Sequence, residues 1–151
     1  MINRDKLTKI MNYDDFFEVR QLISNLSSTD LFNSLFPLSI DNLGDGADSI
    51  AGMLLIEFDP KHEITLEEML LAISNSKWDI SNREIPFYLV SQFGKWTVLN
   101  KVKEFLNSGN LNEDQKKYLE SVSYWASGPA SGLAESLHYF EWQEVIEGEN
   151  A

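Results

Sequence analysis

Across residues 86–106 apolar side chains recur at Leu89, Phe93, Trp96, Leu99, Val102 and Leu106. Steps of three and four place all six on one face of a helix. Pro86 suits the first turn, where its missing amide hydrogen would have no partner. Asn107-Ser108-Gly109-Asn110 supplies a stop. An unbroken helix here would be about 31 Å long at roughly 1.5 Å per residue. Gly94 makes a break or kink near the middle an equal alternative. Phe87, Tyr88, Val90, Val98 and Phe105 leave little of the stretch polar. It is therefore expected inside the domain, with Leu89, Phe93, Trp96, Leu99 and Val102 buried.

The remaining pattern is also helical. Residues 3–11 and 13–26 read as two short helices or one interrupted helix, the second with Phe16, Phe17, Val19, Leu22, Ile23 and Leu26 apolar. Ser27 to Asp30 offers caps for a short helix through Leu31 and Phe32. Pro37 is expected to end it, because a helix passes a proline only with strain. Residues 41–48 form a loop. Residues 49–58 could be a buried helix or, from 53 onward, a buried strand; the shared face of Ile50, Met53, Leu54 and Phe58 favours helix. Thr65 and Glu68 make a capping box for a helix carrying Leu66, Met69, Leu70 and Ile73. Residues 78–84 are a connection. Asn112 caps a helix with Glu113 and Asp114 in its first turn and with Tyr118, Leu119, Val122 and Trp125 facing inward. Ser127-Gly128-Pro129 breaks it, and Ser131 caps a last helix before a frayed end. The expectation is an all-α (mainly α) single domain over residues 1–151, with six to eight helices in antiparallel pairs.

Composition sharpens this. A length of 151 residues suits one domain, and 43% hydrophobic residues with 9 Phe, 5 Tyr and 4 Trp support a packed core. The chain has no cysteine, which excludes disulfides, thiolate metal sites and cysteine nucleophiles. No apolar core of signal-peptide type opens the chain, and no run approaches the roughly 20 apolar residues of a membrane span. A cytoplasmic protein is expected.

The formal charge is −12, from 24 acids and 12 bases. Between Thr29 and Leu70 stand nine acids (Asp30, Asp41, Asp45, Asp48, Glu57, Asp59, Glu63, Glu67, Glu68) and one base, Lys61. From Leu119 onward stand six acids (Glu120, Glu135, Glu141, Glu144, Glu147, Glu149) and no base. Such a surface repels nucleic-acid phosphates and speeds encounter with basic partners. It also serves solubility alone.

Motifs for chemistry fail on inspection. Asp41-x-Leu43-x-Asp45-Gly46 begins like a calcium loop, but Leu43 and Gly52 stand where ligands are needed. Gly44-x-Gly46-x-x-Ser49 lacks the last glycine of the dinucleotide fingerprint. His62 and His138 are the only histidines; Lys61-His62-Glu63 contains no second ligand at helical spacing, and a metal site would require both histidines to converge in space with a carboxylate. Ser131 is not central in a nucleophile elbow. Asp14-Asp15, Glu67-Glu68 and Glu113-Asp114 lie at helix starts, where the dipole accounts for them. No catalytic residue, cofactor or metal is expected, and the protein is not expected to be an enzyme.

His138-Tyr139-Phe140-Glu141-Trp142-Gln143-Glu144 interleaves aromatics with acids, a composition suited to docking a basic protein. The competing and weightier reading completes the core with Leu137, Phe140 and Trp142. The partner-binding candidates are Asp41, Asp45, Asp48, Asp59, Glu63, Glu67, Tyr139, Glu141, Trp142 and Glu144.

In size, lack of cysteine and strong acidity the whole chain resembles the small acidic immunity proteins of bacterial toxin systems, including contact-dependent growth inhibition. That resemblance implies tight binding to a cognate toxin domain, often a basic nuclease, with acids covering its active site. Two alternatives stand beside it. One is an acidic secretion chaperone or adaptor, a class that is usually dimeric with an α/β fold. The other is a DNA mimic with carboxylates at phosphate-like intervals.

Overall fold

The structure, a computed structural model, describes residues 2–8 and 20–128. It is mainly helical. The helices are α1 (Arg4–Thr8), α2 (Ser28–Ser39), α3 (Ala47–Phe58), α4 (Leu66–Ser74), α5 (Glu84–Phe93), α6 (Lys95–Leu106) and α7 (Glu113–Ser127). Residues 20–23 are also helical. The described residues contain no strand, only an isolated parallel bridge between Asp41 and Lys77. The last helix expected after Ser131, over residues 132–147, lies outside the described residues, as do residues 13–19 of the one over 13–26.

Local chemistry accounts for the boundaries. The Ser27 side chain accepts from the Asp30 amide and starts α2. That helix runs on through Pro37 to Ser39, which corrects the expected stop. Pro37 and Asn33, whose carbonyl loses its intrahelical donor, are both exposed. Water can replace that bond, so the cost is lower than in a buried helix. α3 is the helix favoured for residues 49–58, begun two residues early behind Gly46 at φ 81°. Thr65 and Glu68 form the capping box of α4, and Asn112 with Gln115 forms another at α7.

Gly94 decides the central stretch. Its φ of 87° and ψ of 147° break the helix, so residues 86–106 fall into α5 and α6. Helical phase is lost at the break, and steps of three and four no longer carry one face across it. α5 buries Ile85, Pro86, Phe87, Tyr88 and Leu89. α6 buries Val98 and Val102, while Phe93 and Leu99 are only half-buried. Trp96, expected inside, is 71% exposed.

α2 packs on α3 and α6 on α7 as antiparallel pairs, with α5 against α3, α6 and α7. One continuous core forms around Leu35, Leu54, Leu55, Met69, Leu70, Tyr88, Leu89 and Val122. Gly52 lets α5 approach α3: a Cβ there would stand 3.0 Å from the Glu84 Cβ.

Candidate partner-binding surface

The acidic residues of the first half enter the fold in different ways. Arg4 of α1 donates to both carboxylate oxygens of Asp45, at 2.7 and 2.9 Å, and to the Asp41 carbonyl at 2.5 Å. Its guanidinium also lies 3.2 Å from the Asp41 carboxylate. Asp45 accepts from the Ala47 amide at 3.1 Å. The Arg4 hydrogen bond, then that amide, holds the Asp45 carboxyl below its usual range. The loop that resembled a calcium site thus fastens α1 to the start of α3. Among the described residues no group of three His, Asp or Glu is placed to hold a metal ion.

Asp48 is 3% exposed. Burial, the largest influence on it, pushes its carboxyl upward. It cannot present a carboxylate to a partner and leaves the candidate surface. Glu57, in the same acidic stretch, pairs with Arg20.

Asp59, Glu63 and Glu67 are exposed and positioned. Asp59 ends α3 at φ 43°. Its carboxylate accepts from the Ser91 hydroxyl at 2.9 Å and the Gln92 amide at 2.8 Å. The His62 amide donates to Gln92 at 2.9 Å, and the His62 ring lies 4.2 Å from that of Phe93. Glu63 accepts from the Thr29 hydroxyl at 2.6 Å. The buried Tyr88 hydroxyl donates to the Pro60 carbonyl at 2.6 Å. Residues 59–63 are thereby stapled between the start of α2 and the end of α5. Glu67 lies 2.9 Å from Lys101 of α6, which also reaches Glu104 at 3.0 Å. The Lys101 hydrogen bond holds the Glu67 carboxyl down, and Glu67, then Glu104, holds the Lys101 ammonium up.

Of the ten sequence candidates, Asp41 and Asp45 meet on Arg4, and Asp59 and Glu63 share one stapled segment. Glu67 sits apart on α4, and Asp48 is inside. Tyr139, Glu141, Trp142 and Glu144 lie outside the described residues.

Two aromatic residues outside that set are more exposed than any other large apolar side chain described: Trp96 at 71% and Tyr124 at 70%. The ammonium of Lys95 lies 5.6 Å from the Trp96 ring centre. Tyr124 packs edge-on against Trp125 at 5.2 Å, and Trp125 donates its ring N–H to the Ile80 carbonyl at 2.9 Å. The sequence carried a signal for Tyr124, which falls off the apolar face of Tyr118, Leu119, Val122 and Trp125. For Trp96 the only signal was Gly94.

No helix among the described residues is long and apolar enough to cross a membrane. Comparison with protein-family models, curated proteins and solved structures gives no match to this chain.

Proposed function

We propose that the protein is a protein-binding module that neutralises a basic partner, in the manner of the immunity proteins it resembles. The observation that carries this reading is charge. The chain is −12 overall, and residues 129–151 hold five acids and no base. Internal pairing, such as Arg4 with Asp45, cancels acid against base and leaves that excess in place. Exposed carboxylates at Asp30, Asp59, Glu63 and Glu68 add to it. A field of one sign accelerates encounter with a basic domain. The helical architecture weighs against the chaperone alternative, whose members are usually α/β.

The test is the salt dependence of association with a captured basic partner. The association rate should fall between about 50 and about 500 mM salt, as the screening length shortens. Glu141→Gln with Glu144→Gln should slow association at low salt, while Trp142→Ala should speed dissociation. A rate that is constant over this range, with affinity indifferent to charge reversal in both acidic stretches, would leave the acidity as a solvated surface only.

A further inference from the structure

We propose that the start of α3 is an acid-tightened latch, closed most firmly when Asp48 carries its proton and Asp45 has lost its own.

The two carboxyls stand three residues apart, Asp45 just before the helix and Asp48 in its first turn. Their surroundings differ. Asp45 is met by Arg4 and by the Ala47 amide. Asp48 is buried, and its carboxyl lies against the amides of Asp48 and Ser49 in its own turn. Among the described residues no salt bridge reaches it. A carboxylate inside a protein without a counter-ion is costly, and taking up a proton removes the cost.

The neighbouring elements do not supply the missing partner. From α1 comes Arg4, whose charge favours a carboxylate at Asp48 but which is already engaged by Asp45 and Asp41. Asp5 and Lys6 of α1 are exposed. From the connection over residues 75–83 comes Asp79, which opposes a charge at Asp48. Lys77, exposed, and Arg83 lie on either side of Asp79 in the chain. α5 brings another acid, Glu84, beside Gly52, one turn along α3 from Asp48. α2 has a single charge, Asp30, in its first turn.

Arg4 and Asp79 both act on Asp48, which places it between two pieces of chain that this corner holds together. Arg4 ties α1 to the loop before α3. The Asn42 amide of that loop donates to the Lys77 carbonyl at 3.2 Å, beside the Asp41–Lys77 bridge. α1 has only five residues, so this corner can open while the rest stays folded. Opening gives both carboxyls to water, where each titrates near pH 4. In the closed state burial lifts Asp48 above that value, and the Arg4 hydrogen bond holds Asp45 below it. The Asp48 contribution is therefore complete below about pH 4 and is lost as pH rises through its closed-state value. The Asp45 contribution is complete above about pH 4 and is lost as pH falls through its lower value. The two overlap near pH 4, where the latch is firmest.

Hydrogen exchange at the amides of residues 41–48 in the full chain, corrected for the intrinsic rate at each pH, reads the opening. In wild type their protection should rise as pH falls from about 7 to about 4, with Asp48 supplying up to about tenfold per pH unit, and should fall again below about pH 4. The rise should exceed any change at Leu119 and Val122 in α7. Asp48→Asn should be protected at pH 7 at least as well as wild type and should lose the rise. Asp45→Asn should start lower, keep the rise and lose the fall. Carbon NMR of the Asp48 carboxyl in wild type needs no variant, and it should titrate above about pH 4. Titration below that value would overturn the latch. So would weaker protection of Asp48→Asn than of wild type at pH 7, a rise that Asp48→Asn retains in full, or an equal rise in α7.

Discussion

α5 and α6 are joined through one glycine and have nearly equal lengths, 10 and 12 residues. α5 buries five residues in succession, from Ile85 to Leu89, and carries one charge, Glu84. α6 buries two and carries Lys95, Lys101, Lys103 and Glu104. The first is wedged between α3, α6 and α7, and the second lies on the outside with one face inward. Burial depth follows apolar density, because a helix without a polar face must be enclosed. Gly94 adds the second lesson. It lets consecutive helices turn independently, so that the outer one can hold a tryptophan in water.

Four measurements would break or sharpen this contrast. The largest effect is expected at the centre of α5. Leu89→Ala should cost about 2–5 kcal/mol in urea unfolding, since it empties fully buried volume. A loss below about 1 kcal/mol would move the centre elsewhere.

The joint comes next. Gly94→Ala forces a Cβ into a backbone region that only glycine adopts readily, at a cost of about 1–3 kcal/mol. Beyond its two chain neighbours no atom stands within 4 Å of that Cβ, so the loss would report backbone strain.

Tyr88→Phe should cost about 1–3 kcal/mol by leaving the Pro60 carbonyl without its donor. This deficit has a pH signature. Burial first, then the Asp59 and Glu63 carboxylates, raises the Tyr88 hydroxyl above its unfolded value. The stability it contributes is therefore complete below about pH 10 and is lost as pH rises further. The gap between wild type and Tyr88→Phe should therefore hold up to about pH 10 and narrow above it. A constant gap would mean the hydroxyl is not held in its protonated form.

The smallest effect belongs to α6. Trp96→Gln should change stability by no more than about 0.5 kcal/mol, the ordinary range for a surface position. A large loss would show that Trp96 packs inward after all.

Much of the architecture was legible in the chain. Thr65 with Glu68 and Asn112 at α7 mark helix starts because a cap is a contact between near neighbours. The apolar face of residues 49–58 led to α3 for the same reason. The misreadings have a common cause. Pro37 reads as a stop along the chain, but the cost of its missing bond depends on exposure, which neighbours do not reveal. The spacing that places Trp96 in the core runs across Gly94, where the phase is lost. The acidic run from Asp30 to Glu68 looked like one surface. In three dimensions it divides into a clasp on Arg4, a pair with Arg20, a buried Asp48 and the exposed, stapled carboxylates of Asp59 and Glu63.

By itself, the sequence determined the helical class, the main caps and the excess of negative charge, because propensity, local hydrogen bonding and formal charge belong to residues and their near neighbours. Only the tertiary structure decided the turn at Gly94, the exposure of Trp96 and the fate of each carboxylate. Those depend on which distant group arrives beside them: Arg4 lies 41 residues from Asp45, and Gln92 lies 33 from Asp59. Contacts at such separations follow from how the helices pack, and a periodic pattern along the chain does not encode them.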